Sequence, residues 1–334
     1  EFINAEDGKN LMSIADSNPS FDENINLGSV TFNDSYIDTH IDLILKLPFV
    51  DSELIKRRKF KVVVDAVNST GGIAIPKLLD RLGVETIKIY CDPTGEFPHN
   101  PEPLKENLSD LSNLVVNEAA DLGIVVDPDV DRLAFVSEDG EVFGEEYTLV
   151  ACADYYLKHN PGNTVSNLSS SRALRDVSDL NGCNHFFSAV GEVNVVELMK
   201  KKNAVIGGEG NGGIILPDLH YGRDALVGIA LFLSHLANLN ISCSELRSKY
   251  PGYFMSKDKI MLDKTVNVDK IINEISEKYS DEEINNEDGL KIDFENSWVQ
   301  LRKSNTEPII RVYSEAKSQK EANMLSSKFI DEIN

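Results

Sequence analysis

The chain has 334 residues, 41% of them hydrophobic, and a formal net charge of −22. That length exceeds one ordinary domain and predicts roughly two to four units with separate cores. The acidic balance disfavours nonspecific binding to nucleic acid or to an anionic membrane, so a phosphorylated partner has to be small and locally clamped.

Residues 1–57 are polar and rich in Asn, Asp and Ser, with one helical pattern at Tyr36–Leu47. The segment is too thin for a domain and begins Glu1-Phe-Ile-Asn rather than with Met, so it reads as the tail of something upstream. From Phe60 the texture is strand, glycine, helix, strand: Lys61–Asp65, Gly71-Gly72, Ile73–Leu82, Thr86–Tyr90, then the apolar run ending at Asp127. That alternation marks βαβ units. A hairpin of Arg132–Ser137 and Glu141–Phe143 is expected across Asp139-Gly140, followed by a helix over Glu145–Leu157.

A second α/β unit is predicted from Thr164: strands at Thr164–Leu168, His185–Ser188 and Ala204–Gly207, helices at Arg172–Leu180 and Val193–Lys201, and a closing helix at Arg223–Leu239. After Pro251-Gly252 come Lys259–Leu262, a helix at Val268–Tyr279, strands at Leu290–Phe294, Trp298–Arg302 and Ile309–Tyr313, and a helix at Gln319–Ile333. The expected fold class is therefore α/β: two consecutive βαβ-type domains with mixed sheets, at 58–158 and 159–256, then a smaller α+β domain at 257–334. Cys91, Cys152, Cys183 and Cys243 form no CxxC pair, no apolar stretch has membrane-span length, and no basic segment followed by an apolar one opens the chain. Reduced thiols in a cytoplasmic protein fit this best.

Three loops carry chemistry. Asp127-Pro-Asp-Val-Asp-Arg132 follows the buried strand pattern Leu122–Val126, so Asp127, Asp129 and Asp131 can converge on one hard cation, Mg²⁺ by chemistry, with the Arg132 fork beside them for a bridging phosphate. The alternative is a solvated acidic turn; an EF-hand is disfavoured because the Gly at position six and the Glu at position twelve are missing. Gly207-Gly-Glu-Gly-Asn-Gly-Gly213 ends a strand but matches no nucleotide fingerprint, and Glu209 would repel a pyrophosphate. Glu209 and Asn211 suit sugar hydroxyls instead, the alternative being a plain turn. Arg302-Lys-Ser-Asn-Thr-Glu-Pro308 lies between two strands and offers a guanidinium, an ammonium, hydroxyls and an amide for a phosphate dianion. Arg311 could add a further cation, and a polar hairpin is the bland reading.

Together these loops, Gly123-Ile-Val-Val-Asp127 through Arg132, Gly208–Gly213 and Arg302–Pro308, resemble in order and spacing the metal, sugar and phosphate loops of the α-D-phosphohexomutases, the phosphomannomutase, phosphoglucomutase and phosphoglucosamine mutase family. The resemblance covers nearly the whole chain. It implies that Asp127, Asp129 and Asp131 bind Mg²⁺ and that Arg132 faces the transferred phosphoryl group. It places Glu209 and Asn211 on sugar hydroxyls, and Arg302, Ser304, Asn305 and Thr306 on the phosphate that does not react. Phe97-Pro-His-Asn-Pro101 and Val190-Gly191 resemble further family stretches.

Two departures stand out. The family's Thr-Ala-Ser-His-Asn-Pro motif, whose phosphoserine donates and accepts the phosphoryl group, has no counterpart here; Asp16-Ser-Asn-Pro19 lacks the His. The sugar loop also lacks the more common Ser-Gly-His ending, which leaves the sugar preference open. The resemblance thus implies a mutase that interconverts hexose 6-phosphate and hexose 1-phosphate through a hexose bisphosphate, present here without most of its phosphoserine domain and inactive alone. A noncatalytic sugar-phosphate-binding protein and an Asp-nucleophile phosphatase are the alternatives, the second weakened because the acids suit ligands better than a nucleophile with a free acid partner.

Overall fold

The computed structural model describes residues 3–20, 28–261, 268–303 and 309–333. The first unit runs α1 (Ala5–Asp16), α2 (Tyr36–Leu45), α3 (Ser52–Arg58), β1 (Lys61–Asp65), α4 (Gly71–Arg81), β2 (Glu85–Ile89), α5 (Ser109–Asn117), β3 (Leu122–Val126) and β4 (Leu133–Ser137). Its sheet has the order β2-β1-β3-β4, with β1 parallel to β2 and β3, and β4 antiparallel. Strand alternation divides β1 between two faces. Val62 and Val64 enter the large central core, whereas Val63 packs with Leu111 and Val115 of α5.

The hairpin expected within 132–143 forms: the Ser137 amide donates to the Glu141 carbonyl at 2.8 Å and the Phe143 amide to the Phe135 carbonyl at 2.9 Å. Val136 and Val142 are bridged there, and β4 also pairs with β3 over Leu122–Val126. With β3 on one side and 141–143 on the other, all five residues of β4 are buried, as are those of β3.

The second unit comprises α6 (Glu145–His159), β5 (Asn163–Asn167), α7 (Ala173–Leu180), β6 (His185–Ser188), α8 (Glu192–Lys202), β7 (Ala204–Glu209), β8 (Gly213–Leu216), β9 (His220–Arg223), α9 (Ala225–Leu239) and α10 (Cys243–Ser248). Its sheet order is β6-β5-β7-β8-β9, parallel at β6-β5-β7 and antiparallel beyond. The glycine run is therefore the tip of a hairpin, with Gly207–Glu209 paired to Gly213–Ile215. The closing helix starts two residues later than expected, because Asp224 caps it through hydrogen bonds from the Leu226 and Val227 amides and leaves Arg223 on β9.

Helix α9 is apolar around its whole circumference and is buried from Ala225 to Ala237. It lies between the first two units, touching α2, α3, α4 and β4 as well as α6 and β8. Phe232 stacks on Phe135 of β4 with ring centroids 3.7 Å apart. Truncation of Phe232 to Ala would cost about 3–5 kcal/mol by the usual core arithmetic. The segment expected as an upstream remnant contributes Ile41, Ile44 and Ile55 to this shared core.

The C-terminal unit holds β10 (Phe254–Met261), α11 (Val268–Lys278), β11 (Glu283–Asn285), β12 (Leu290–Asp293), β13 (Trp298–Lys303), β14 (Ile309–Ala316) and α12 (Gln319–Ile333). Its antiparallel sheet has the order β10-β14-β13-β12-β11 and encloses a separate core around Leu290, Val299, Val312 and Phe329. Arg172, at the start of α7, fastens this unit to the second one through Asp293 at 2.9 Å and the carbonyls of Phe294, Glu295 and Ser297. Among the described residues, no helix is long and apolar enough to cross a membrane.

Candidate functional site

The acidic turn leaves β3 and returns into β4 within a few residues, which requires Val130 to take a positive φ of 63°. Asp127 closes the turn by accepting hydrogen bonds at Oδ1 from the amides of Asp131 (3.1 Å) and Arg132 (3.0 Å). Ser69 and Thr70, ahead of α4, donate their hydroxyls to the Pro128 carbonyl, both at 2.8 Å, and brace the turn from outside.

The three carboxylates of Asp127, Asp129 and Asp131 each bring one oxygen within 4.8 Å of the others. Asp131 Oδ1 is buried without a hydrogen-bond partner. Burial, followed by the negative charges of Asp131 and Asp129, pushes the Asp127 carboxyl up to about 7. An all-oxygen cluster that repels itself and leaves an oxygen unsatisfied fits a hard divalent cation. Arg132 is half-buried, with Nε 3.4 Å from Asp127 Oδ2 and Nη1 3.3 Å from Glu102 Oε1.

Glu102 ends the loop that contains Phe97-Pro-His-Asn-Pro101. That loop is pinned at the C-terminal end of β1, where His99 Nε2 lies 3.0 Å from Asp65 Oδ2. Asp65 is 1% exposed, and burial raises its carboxyl above the ordinary range.

Glycines in the 207–213 hairpin tip allow close backbone approach to β4. Gly212 has φ 88°, its carbonyl accepts from the Leu133 amide at 3.2 Å, and a Cβ there would stand 2.1 Å from the Leu133 carbonyl oxygen. This approach brings the acidic turn and the hairpin tip side by side, with Arg132 bridged to Gly213. Glu209 is buried at the end of β7: its Oε1 accepts from Asn167 Nδ2 at 2.8 Å and from the Gly191 amide at 3.2 Å. Asn211 accepts from the Gly213 amide at 3.1 Å and is half-buried.

The sequence reading missed Arg223, which holds these loops together. Its guanidinium pairs with Asp131 of the acidic turn, with Glu209 Oε2 at 2.8 Å and with Glu192 Oε2 at 3.0 Å. The Asp224 cap signal ahead of the apolar run at Ala225 would have moved Arg223 out of the helix and toward the hairpin. Glu146 and Lys257 were missed too. Burial raises Glu146 to about 8, while Lys257 Nζ reaches across from β10 to within 3.6 Å of Glu145 and 3.8 Å of Glu146.

In the cationic segment, Arg302 and Arg311 are register partners on β13 and β14 and so share a face of the sheet. Arg302 Nε pairs with Asp288 at 2.8 Å, and the same carboxylate oxygen accepts from the Val190 amide at 3.0 Å. Arg311 Nη1 lies 3.4 Å from the Tyr313 hydroxyl. Ser304, Asn305 and Thr306 lie outside the described residues.

Arg132 from the first unit, Glu209 and Asn211 from the second, and Arg311 from the third all line one cleft of about 770 Å³. Glu146, Lys257 and Tyr313 complete its polar wall.

Three family models match the chain: "Phosphoglucomutase/phosphomannomutase, alpha/beta/alpha domain II" at residues 34–140, "domain III" of the same description at 144–253, and the "C-terminal domain" at 259–332. The chain is 38% identical over 277 residues to a "Phosphoglucomutase/phosphomannomutase" of Thermococcus kodakarensis, covering 82% of this chain and 60% of that protein. It is 31% identical over 318 residues to a "Probable phosphoglucosamine mutase" of Methanopyrus kandleri, covering 94% and 68%. The crystal structure of a phosphoglucomutase/phosphomannomutase family protein from Burkholderia thailandensis superposes with a TM-score of 0.82 at 25% identity, over 99% of this chain and 70% of that one. The chain thus spans 60% and 68% of the length of these two curated relatives. With three successive domain models matched and cleft residues drawn from all three units, this chain belongs to the α-D-phosphohexomutase family, that of the phosphoglucomutases and phosphomannomutases.

Proposed function

We propose that these residues are the metal-, sugar- and phosphate-binding part of a phosphohexomutase, which interconverts hexose 6-phosphate and hexose 1-phosphate through a bisphosphate with a phosphoserine supplied from outside the 334 residues. The observation that carries this reading is the common cleft, in which Arg132, Glu209, Asn211 and Arg311 converge from three sheets.

Each side chain has a task that follows from its chemistry. Arg311 and its register partner Arg302, which Asp288 holds through Nε, carry two cationic forks on one face, an arrangement suited to a phosphate dianion. Because the sugar must bind in two orientations, this anchor reads only the phosphate. Asn211 can donate to and accept from ring hydroxyls, and Glu209 can accept once Arg223 or Asn167 yields one of its oxygens. Arg132 points its fork at the mouth between the acidic turn and Glu102, where a phosphoryl group in transfer would sit. A Mg²⁺ held by Asp127, Asp129 and Asp131 would neutralise charge on that group. A rotation of the C-terminal unit near Pro251-Gly252 would bring Arg311 over the sugar and exclude water.

Calorimetry with the phosphates of glucose, mannose and glucosamine, in Mg²⁺, tests the reading and ranks the sugars. At least one should bind more tightly than inorganic phosphate and than its unphosphorylated sugar. Equal affinity for inorganic phosphate and every sugar phosphate would overturn the proposal. Mixed with a hexose 1-phosphate, the bisphosphate and Mg²⁺, the chain alone should give no sustained isomerisation.

A further inference from the structure

Besides the acidic turn, the described residues hold a second group whose ligand-type atoms all lie within 4.8 Å of one another: His40, His220 and Asp224. The three are assembled by tertiary structure. His40 lies on α2, His220 opens β9, and Asp224 caps α9. Both imidazoles aim Nε2 at the same oxygen, Asp224 Oδ2, at 2.7 and 3.1 Å. The other oxygen, Oδ1, accepts from the amides of Leu226 at 2.8 Å and Val227 at 3.2 Å. The helix start thus fixes the carboxylate plane and leaves Oδ2 to the histidines, which is how an outer shell orients a ligand.

Tetrahedral coordination with bonds of roughly 2.0–2.1 Å puts ligand atoms about 3.3 Å apart. The two separations from Oδ2, 2.7 and 3.1 Å, therefore need to open by about 0.6 and about 0.2 Å to admit an ion. The Asp224 side chain is 6% exposed, whereas those of His40 and His220 are 31% and 39% exposed, so the cluster has an open side for entry and for a water ligand. The donor set decides the metal. Two imidazole nitrogens and one carboxylate oxygen favour zinc-class ions, while the all-oxygen turn at Asp127 favours Mg²⁺. The net charge of −22 raises the local concentration of any divalent cation.

We propose that His40, His220 and Asp224 form a second cation site, specific for a zinc-class divalent ion, which clamps α2 to the elbow between β9 and α9. The clamp joins residues 184 positions apart in sequence and adjoins Arg223, the residue that holds the metal and sugar loops together. It does not depend on the identity of the sugar or on the proposed activity.

The test uses the untagged full chain titrated with Co²⁺ in a large excess of Mg²⁺. One equivalent should bind with the visible d–d absorption of an imidazole-ligated ion, and X-ray absorption of the Zn²⁺-loaded chain should show two imidazole shells. His40→Gln and His220→Gln should each weaken Co²⁺ binding at least about tenfold, with circular dichroism unchanged, whereas Asp129→Asn should leave it intact. Co²⁺ binding abolished by Mg²⁺ or by Asp129→Asn, or a zinc spectrum without imidazole shells, would overturn the proposal, and that spectrum needs no variant to fold.

Discussion

Arg223 donates to Glu209 at 2.8 Å from Nη1, and the same guanidinium pairs through Nη2 with Asp131 across the boundary between the first two sheets. Its third contact, Nε to Glu192 at 3.0 Å, reaches the start of α8. One planar cation thus serves three carboxylates from three loops, so the acidic turn and the hairpin tip cannot shift independently. Their charges in turn raise the guanidinium's proton affinity against the opposing effect of burial.

Arg223→Met would leave Glu209, Glu192 and Asp131 without their cation. Removing one partner of a buried ionic network costs about 3–5 kcal/mol, read as a lower urea midpoint. Because Asp131 then lacks its partner, added Mg²⁺ should raise the melting temperature of the variant more than that of the parent. An equal Mg²⁺ response in both proteins would show that the arginine and the cation do not share Asp131.

Asp127 supplies the pH dependence. Its carboxyl, with an ordinary value of 3.8, is held at about 7 by burial among Asp131 and Asp129. A raised folded-state value means stability that is fully present below the unfolded value and lost as pH rises through the folded one. The metal-free protein should therefore lose stability between about pH 4 and about pH 7, with a slope of at most about 1.4 kcal/mol per pH unit from this group. Asp127→Asn should flatten that slope, and saturating Mg²⁺ should remove it in the parent. Urea unfolding across this range, with and without Mg²⁺, reads both effects, and Mg²⁺ affinity should fall below about pH 7 as the ligand protonates.

Arg311 lines the cleft beside Tyr313. Arg311→Ala should weaken sugar-phosphate binding by about 10- to 100-fold, the worth of a charged hydrogen bond, and leave Mg²⁺ affinity unchanged. Asp129→Asn should do the reverse. Calorimetry with each ligand separates the two, and a loss of Mg²⁺ binding in Arg311→Ala would break the assignment.

Lys291 is 1% exposed, donates to the Leu168 carbonyl at 2.9 Å and lies over the rings of Phe187 and Trp298. Burial lowers it from 10.5 to about 8. Between those two values the unfolded chain binds the proton that the folded one has shed, so stability should rise with pH there, by on the order of 3 kcal/mol in all. Lys291→Met should lack that rise. The difference between the two proteins' unfolding curves from about pH 8 to about pH 10 isolates the residue from tyrosines that titrate in the same range.

The α/β class and most elements were legible because their signals are local. The all-Val stretch of β1 and the apolar face of α12 announce period and burial within a few residues. Less legible were β8 and β9, whose four-residue stretches carry little periodicity; the sequence assigns no element to 214–222. The 132–143 hairpin was legible from the turn chemistry at Asp139-Gly140, whereas the pairing of β4 with β3 was not, because a turn says that the chain reverses but not which further neighbour the strand joins.

The sequence by itself determined the chemistry on offer: a triad of carboxylates, a glycine-rich tip with Glu209 and Asn211, and a cationic segment at Arg302 and Arg311. Those residues are close in sequence within each loop, and family resemblance tied the loops together. Tertiary structure alone decided that Arg223 would join Asp131 to Glu209, that His40 would meet Asp224 from 184 residues away, and that Arg132 and Arg311 would share a cleft. The reason is physical. Propensity and turn preference act over a few residues, whereas a charge pair between distant strands exists only after burial of α9 has fixed the first two sheets against each other.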